Sequence, residues 1–485
     1  MDRRARRPLS TSVMRPPAPN VIDAIRAHAR AHPDHPALCA DQGDATHVVS
    51  YAELVARFDA GAELLRDAGV ARGARCGLVA RQGAGFIEHA LAILAAGGCM
   101  VPIPYDAPGS VRERFADAAS LAHIVSEEDG FACRAWPGTL HDEAAFRALG
   151  PAYLRFTSGT TSDRKGVVLS HVRIAERLLA ANEALAIGPG DRILWLLPMA
   201  HHFVVSILLY LRFGAAILLP ASSLARPVLA FAARERATVS YASPFHYSLL
   251  AKDASGIGLD LRLAVSTAEG LRAEIAAGFR ERFGIALAQA LGIIEVGLPV
   301  LNAAEAESKP TALGRPLPAY DVWLRSDDGK PVLGPGSPER TGEICIRGPG
   351  MFDAYLSPWT PSARVLEPDG FRTGDQGYFD GDGTLFLAGR RHNRINMAGM
   401  KFFSEEVEEV LARHPNVREC RVFAREHAQL GEIPVAEIVP EDPARAPERS
   451  ELIAACRSAL PAYKIPREFR IVAAIARTAT GKVKR

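Results

Sequence analysis

The chain has little that would staple it covalently or around a metal. Its 485 residues include 7 cysteines, namely Cys39, Cys76, Cys99, Cys133, Cys345, Cys420 and Cys456. No two of them form a Cys-x-x-Cys pair. That spacing argues against a zinc site or a disulfide framework and leads us to expect reduced thiols in a cytoplasmic protein. A run of about 18 apolar residues is also missing, which excludes a transmembrane helix. The longest candidate, Val204 to Pro220, is broken by Ser206 and Arg212 and reads as a buried helix followed by a strand. Charge of one sign is lacking as well, with a formal net charge of +2. A dedicated nucleic-acid binder carries a basic face or stripe, so none is expected here. Residues 1–19 are basic and proline-rich, and no apolar segment follows their arginines. They read as a disordered tail, not an export signal.

What remains is ordinary globular material, 48% hydrophobic and 23% charged, enough for a sizeable core. Short apolar runs recur: "CGLVA", "CMVPI", "HIVS", "RILWLLP", "AAILLP" and "TVSYASP". Helical patterns such as Gly85–Leu94 and Val228–Glu235 lie between them. Strands alternating with helices indicate an α/β fold with largely parallel sheets covered by helices. Ser50 precedes a helix expected from about Tyr51, with Gly69 as its stop. After about Leu301 the texture turns rich in Gly and Pro, with short strands, which predicts a small β-rich subdomain. After Gly389 the pattern is a small α+β unit, in which Ser404 is expected to cap a helix. The expected division is a tail at 1–19, a large domain at 20–388, a hinge at 389–393 and a small mobile C-terminal domain at 394–485.

One stretch asks for chemistry. "YLRFTSGTTSDRKGVVLSH" follows a strand and carries Thr157, Ser158, Gly159, Thr160, Thr161 and Lys165 in one loop. Small residues let backbone approach an anion, and successive hydroxyls and N–H groups can cradle phosphate oxygens beside a lysine charge. A polar hairpin turn has the same composition. It is not the P-loop pattern.

The loop has company. "LAILAAGGCMVPIP" precedes it, and "LPMAHHF", "ALGIIE", "GEICIRGPGMFDAYL", "FRTGDQGYFDGDG", "LAGRRHNRINMAGMKFFSEEVEEVL" and "ARTATGKVKR" follow in order. With "TSGTTSDRKG", this series resembles the motifs of the adenylate-forming (AMP-binding) superfamily: acyl-CoA synthetases, aryl or fatty acid ligases and peptide-synthetase adenylation domains. The resemblance runs from about Val21 to Lys484. It implies that a carboxylate attacks the α-phosphate of ATP, pyrophosphate leaves, and a thiol then takes the acyl group. By this resemblance Thr157, Ser158, Gly159, Thr160, Thr161 and Lys165 hold phosphates, and Glu295 and Thr160 serve Mg2+. Asp375 accepts the ribose hydroxyls, and Arg390 reaches the ribose or the phosphates. Lys482 bridges the substrate carboxylate and the α-phosphate. His201 lies by the acyl and thiol path, His392 occupies the hinge, and Gly399 flanks the pantetheine path.

The pattern departs from the family at four points. Arg164 stands for a Pro, Leu291 for the adenine-stacking aromatic, Ile294 for a phosphate-binding Thr, and Ser404 for a Pro. The amine-binding Asp of amino-acid activators has no counterpart in "HHFVVSILL". Phe203, Val204, Phe245, His246, Thr267, Ala268, Gly292 and Ile293 are the expected acyl-pocket residues, mostly apolar, suiting a fatty or aryl acid. With no carrier segment found in the chain, the acceptor is expected to be CoA or a separate acyl carrier protein. A β-lactone-forming relative and a non-catalytic nucleotide-binding scaffold are the alternatives, the second motivated by Leu291 and Ile294.

Overall fold

A computed structural model describes residues 20–128, 131–156, 165–338, 340–366, 370–390, 393–397, 400–427, 430–477 and 483. The N-terminal tail therefore lies outside the described residues.

The short apolar runs become the centres of two large sheets. In the first, Leu287–Ile293, Leu263–Ser266, Val239–Ala242, Arg192–Trp195, Ala216–Leu219 and Pro36–Asp41 lie side by side in that order, all parallel. In the second, Pro151–Phe156, Cys99–Pro102, Arg75–Val79 and His123–Ser126 form the parallel centre. Both sheets are finished by antiparallel strands, such as Thr46–Ser50 and Gly297–Asn302 on the first. The sheets are thus mixed rather than uniformly parallel. Short connections cannot make a crossover, so a strand that returns directly pairs antiparallel.

Helices Tyr51–Asp67, Ala84–Ala95 and His171–Leu185 supply one core with both sheets. Tyr51, Phe58, Ile87, Ile174 and Leu178 pack with Leu78 and Tyr153 of one sheet and Ile193, Val239 and Val265 of the other. Helix Tyr51–Asp67 begins as its sequence asks. The Ser50 hydroxyl accepts from the Glu53 N–H, and the Glu53 carboxylate accepts from the Ser50 N–H. Gly69, at φ +85°, follows its end.

The β-rich subdomain is a four-stranded antiparallel sheet of Asp321–Arg325, Gly342–Arg347, Phe371–Phe379 and Leu385–Arg390. The C-terminal unit has its own core, with Ile395, Val407, Leu411, Val422, Ile438 and Leu452. One expectation there is corrected. Phe403, not Ser404, holds the N-cap of helix Ser404–Ala412, and Glu406 accepts from the Phe403 N–H at 2.9 Å. Ser404 is already helical, and its hydroxyl donates to the Glu405 carboxylate at 3.2 Å. Among the described residues no helix is long and apolar enough to cross a membrane.

Candidate active site

Strands Pro151–Phe156 and Gly166–Ser170 are antiparallel neighbours inside the second sheet, and the Ser/Thr/Gly segment connects the end of the first to the start of the second. Thr157, Ser158, Gly159, Thr160 and Thr161 lie outside the described residues, as do His392, Gly399 and Lys482; Arg390 is placed by its backbone. Lys165 is described, at the foot of the loop and exposed. Its Nζ stands 4.8 Å from the centre of the Tyr355 ring, a cation–π distance. The Tyr355 hydroxyl in turn donates to Glu295 Oε1 at 3.2 Å. A loop lysine, an aromatic ring and a buried carboxylate thus form one line.

Local structure explains the line. Tyr355 belongs to the short strand Ala354–Tyr355, paired with Gly166–Ser170 so that Tyr355 faces Val167. Glu295 sits in the tight turn between Leu287–Ile293 and Gly297–Asn302. Gly297 closes that turn at φ +114°, and a Cβ there would lie 3.2 Å from both Arg177 Cβ and the Tyr320 hydroxyl. Only glycine suits that backbone and that approach. Glu295 is 8% exposed. Burial pushes its carboxyl above the usual range. The hydrogen bond from Tyr355 and the guanidiniums of Arg155 and Arg177 pull the other way without cancelling it.

Arg177 fixes this turn from below. It is 1% exposed. Its Nη1 donates to the Ile294 carbonyl at 2.9 Å, and its Nε donates to the Gly350 carbonyl at 2.9 Å. Burial lowers its pKa to about 10, which leaves it cationic at neutral pH. Arg177→Met is expected to destabilise the chain by about 2–4 kcal/mol, because two buried carbonyls lose their donor. It should also raise the KM for ATP, since Glu295 follows Ile294 directly. Urea unfolding and ATP titration check both effects; an unchanged midpoint would refute this bracing role.

Strand Pro151–Phe156 also anchors the histidine segment. The Tyr153 hydroxyl donates to the Ala200 carbonyl at 2.8 Å, and the Arg155 guanidinium donates to the His201 carbonyl. His201 is therefore tied, through Arg155, to the strand that enters the loop. Beyond His202 the chain makes a π-helical turn, Phe203–Ile207, of the kind frequent at functional sites. Phe203 and Val204 are buried there, and Thr267, just after strand Leu263–Ser266, is buried as well. Ile293 is half-buried, while Ala268 and Gly292 are exposed. Phe245 departs from the pocket expectation: it is 67% exposed. It stands on the first turn of helix Pro244–Ala251, whose buried side carries Tyr247 and Leu250. His246 beside it bonds Ser243 at 2.8 Å.

Ala268 holds φ +76°, a left-handed backbone in a residue other than glycine. Such strain collects at functional sites. Ala268→Gly should be tolerated, whereas the β-branched Ala268→Val should cost about 2 kcal/mol. Denaturant midpoints of the two variants decide; equal midpoints would contradict the strain.

Asp375 stands in Phe371–Phe379, directly opposite Arg390 of Leu385–Arg390. Its strand bends at Gly374, φ +76°. The buried Glu343 carboxylate braces the bend, accepting from the Gly374 N–H at 3.3 Å and from Arg372 Nε at 3.1 Å. The contacts above bring Lys165, Glu295, Arg155 and the His201 segment together, and the Asp375–Arg390 pair sits on the separate four-stranded sheet. Sequence reading missed Tyr355, Arg155, Arg177 and Glu343. Tyr355 and Glu343 lie inside quoted motifs but carry no signal of their own. Arg155 could have been noticed as a charge at the end of an apolar strand.

Comparison with known proteins follows the same outline. The family model described as AMP-binding enzyme matches residues 25–356, and the AMP-binding enzyme C-terminal domain matches 406–482. A sulfoacetate–CoA ligase of Cupriavidus necator is 29% identical over 392 residues, covering 78% of this chain and 75% of that protein. The pyochelin synthase PchD of Pseudomonas aeruginosa is 30% identical over 511 residues, covering 96% of this chain and 91% of its own. The O-succinylbenzoate coenzyme A synthetase of Bacillus subtilis, in complex with AMP, superposes with a TM-score of 0.83 at 23% identity, over 96% of this chain and 97% of that one.

Proposed function

Because the chain belongs to the AMP-binding enzyme family, we infer that it is an AMP-forming acid–thiol ligase of the acyl-CoA synthetase type. It activates a carboxylic acid, fatty or aryl, with ATP and passes the acyl group to CoA. The observation that carries the site assignment is the line from Lys165 through Tyr355 to Glu295.

In the first step a carboxylate oxygen bonds to the α-phosphorus and the bond to pyrophosphate breaks. Anion meets anion there, so the site must supply fixed positive charge and alignment. Lys165, at the foot of the loop, neutralises phosphate, with Thr157, Ser158, Gly159, Thr160 and Thr161 as further donors. Asp375 accepts the ribose hydroxyls, and Arg390 pairs with the ribose or phosphate oxygens. Lys482 spans the two reacting anions. Glu295 fits Mg2+: it is a buried carboxylate, and carboxylate oxygen suits a hard cation. When bound, that ion neutralises phosphate charge; Thr160 is its second expected ligand.

In the second step the thiol sulfur bonds to the acyl carbon and AMP leaves. We place the thiol path by His201 and Gly399. The 394–485 unit turns about the 389–393 hinge, where His392 sits, against the 20–388 domain. A cytoplasmic location is part of this reading, supported by a sequence without any Cys-x-x-Cys pair.

The test is pyrophosphate release from ATP and Mg2+ with a panel of acids, first without thiol and then with CoA or a phosphopantetheinylated carrier protein. Release with one acid class and AMP production that rises with CoA supports the reading. A rise with the carrier protein alone transfers the acceptor to it. Silence with every acid would leave a nucleotide-binding scaffold as the better description.

A further inference from the structure

Glu295 and Asp375 stand on different sheets, yet one nucleotide has to meet both. The strand that carries Asp375, Phe371–Phe379, is tied back toward the Glu295 turn at each of its ends. At its start the Phe371 ring meets Phe352 edge-on, with 6.1 Å between centres, and the Phe352 N–H donates to the Glu295 carbonyl at 2.8 Å. At its finish the tie is made of charge.

This second tie begins at Asn302, the last residue of Gly297–Asn302, the strand that leaves the Glu295 turn. The Asn302 amide donates to the carbonyls of Lys309 and Ala312, at 2.8 and 3.2 Å. Lys309 then reaches the hairpin that joins Phe371–Phe379 to Leu385–Arg390. Its ammonium donates to Asp380 Oδ2 and Asp382 Oδ2, both at 2.7 Å, and to the Thr384 hydroxyl at 3.0 Å. An ammonium has three protons, and all three are placed. The Thr384 hydroxyl donates in turn to Glu305 Oε2 at 2.6 Å, and Arg315 donates to Glu305 Oε1 at 2.8 Å. Asp380 Oδ1 accepts from the Asp382 and Thr384 N–H groups, at 3.0 and 2.9 Å, and so shapes the hairpin turn.

The network is not a loose surface pair. The Lys309 and Asp380 side chains are 21% and 23% exposed, and Thr384 is fully buried. Three carboxylates, on Glu305, Asp380 and Asp382, meet two cations, Lys309 and Arg315. Without the lysine, three negative charges would face one guanidinium and push the hairpin tip away. The backbone pairing of Leu385 with Gly314 would keep the hairpin attached, so the strand shifts and does not unfold. A displacement of about 1 Å is enough to spoil a positioned contact.

Resting on the ligase reading above, in which Asp375 accepts the ribose hydroxyls, we propose that Lys309 is a positioning residue for nucleotide recognition. By clamping residues 380–384 it sets where Asp375 stands relative to the Glu295 turn. It acts through Asp380 and Thr384, not by contact with the nucleotide.

The experiment is calorimetry with the full chain, Mg2+ and two nucleotides, ATP and 2′,3′-dideoxy-ATP, and it needs no acid. The wild type should bind ATP about 10- to 100-fold more tightly, because a site built to bond hydroxyls rejects the analogue lacking them. In Lys309→Met that ratio should fall by about threefold or more. The loss should lie in ATP, while the dideoxy nucleotide, which offers Asp375 nothing, should bind nearly as before. A general loosening of the fold would weaken both nucleotides alike. That result, or a ratio unmoved in Lys309→Met, overturns the proposal and leaves the ligase reading standing. A wild-type ratio near one takes Asp375 off the ribose, and the proposal falls with that assignment. If Lys309→Met does not fold, Thr384→Val, which removes the shared hydroxyl and keeps every charge, decides in its place: a lowered ratio upholds the clamp and an unmoved one overturns it.

Discussion

Lys482→Ala is expected to lower pyrophosphate release by about a hundred- to a thousandfold, the loss seen when one preorganised charge is removed from a developing anion. The reason lies in the chemistry of the first step. A carboxylate and an α-phosphate repel, and a cation that touches both lowers the barrier more than it aids ground-state binding. KM for the acid and for ATP should therefore move far less than kcat. The second step has no such clash, because in the acyl-adenylate the carboxyl is already joined to the α-phosphate as a mixed anhydride. Thioester formation from supplied acyl-adenylate and CoA should stay within about tenfold of the wild type, since no anion pair needs bridging there. Single-turnover assays of the two half-reactions separate these outcomes. Equal losses in both would mean that Lys482 holds structure or product, and no loss in either would remove it from the reaction.

Much of the fold was legible because hydrophobic patterning is local. The runs "CGLVA", "RILWLLP" and "AAILLP" became Arg75–Val79, Arg192–Trp195 and Ala216–Leu219, at the sheet centres where both faces are covered. Ser50 announced its helix because the Glu53 partner is three residues away. The antiparallel edges were not legible, since strand direction depends on where a chain returns rather than on its composition. The Ser404 cap failed by one residue because Phe403, already paired in the strand Met400–Phe403, leaves its N–H for Glu406.

The site divides in the same way. Lys165, Glu295 and Asp375 are candidates by residue type and motif order, and the structure links the first two through Tyr355. Arg177 could not, because its partners Ile294 and Gly350 are 117 and 173 residues away.

Glu295→Gln should make the protein more stable and the enzyme much poorer at once. Burial raises the Glu295 carboxyl above its ordinary value of 4.5. The folded state therefore holds that proton more tightly than the unfolded chain does. The sign follows: this group's contribution to stability falls as pH rises from 4.5 through its folded value, and above that it remains a constant penalty. Glutamine keeps the shape and the acceptor for the Tyr355 hydroxyl and removes the charge. At pH 7 the variant should be more stable by on the order of 1 kcal/mol, and the advantage should vanish at pH values below 4.5, where the wild-type carboxyl is protonated in both states. Activity should drop by about a hundredfold or more, because a neutral amide is a weak ligand for a hard cation and cannot balance the phosphate-side charge. Thermal melts across pH, without nucleotide and then with ATP and Mg2+, read both effects. The wild type should gain stability from ATP and Mg2+ together, and the variant should gain little, because ligand binding to the folded state is what shifts the melt. A variant that melts lower at pH 7 without nucleotide would show that the charge is compensated where it lies, by Arg155 and Arg177, and that its role is structural.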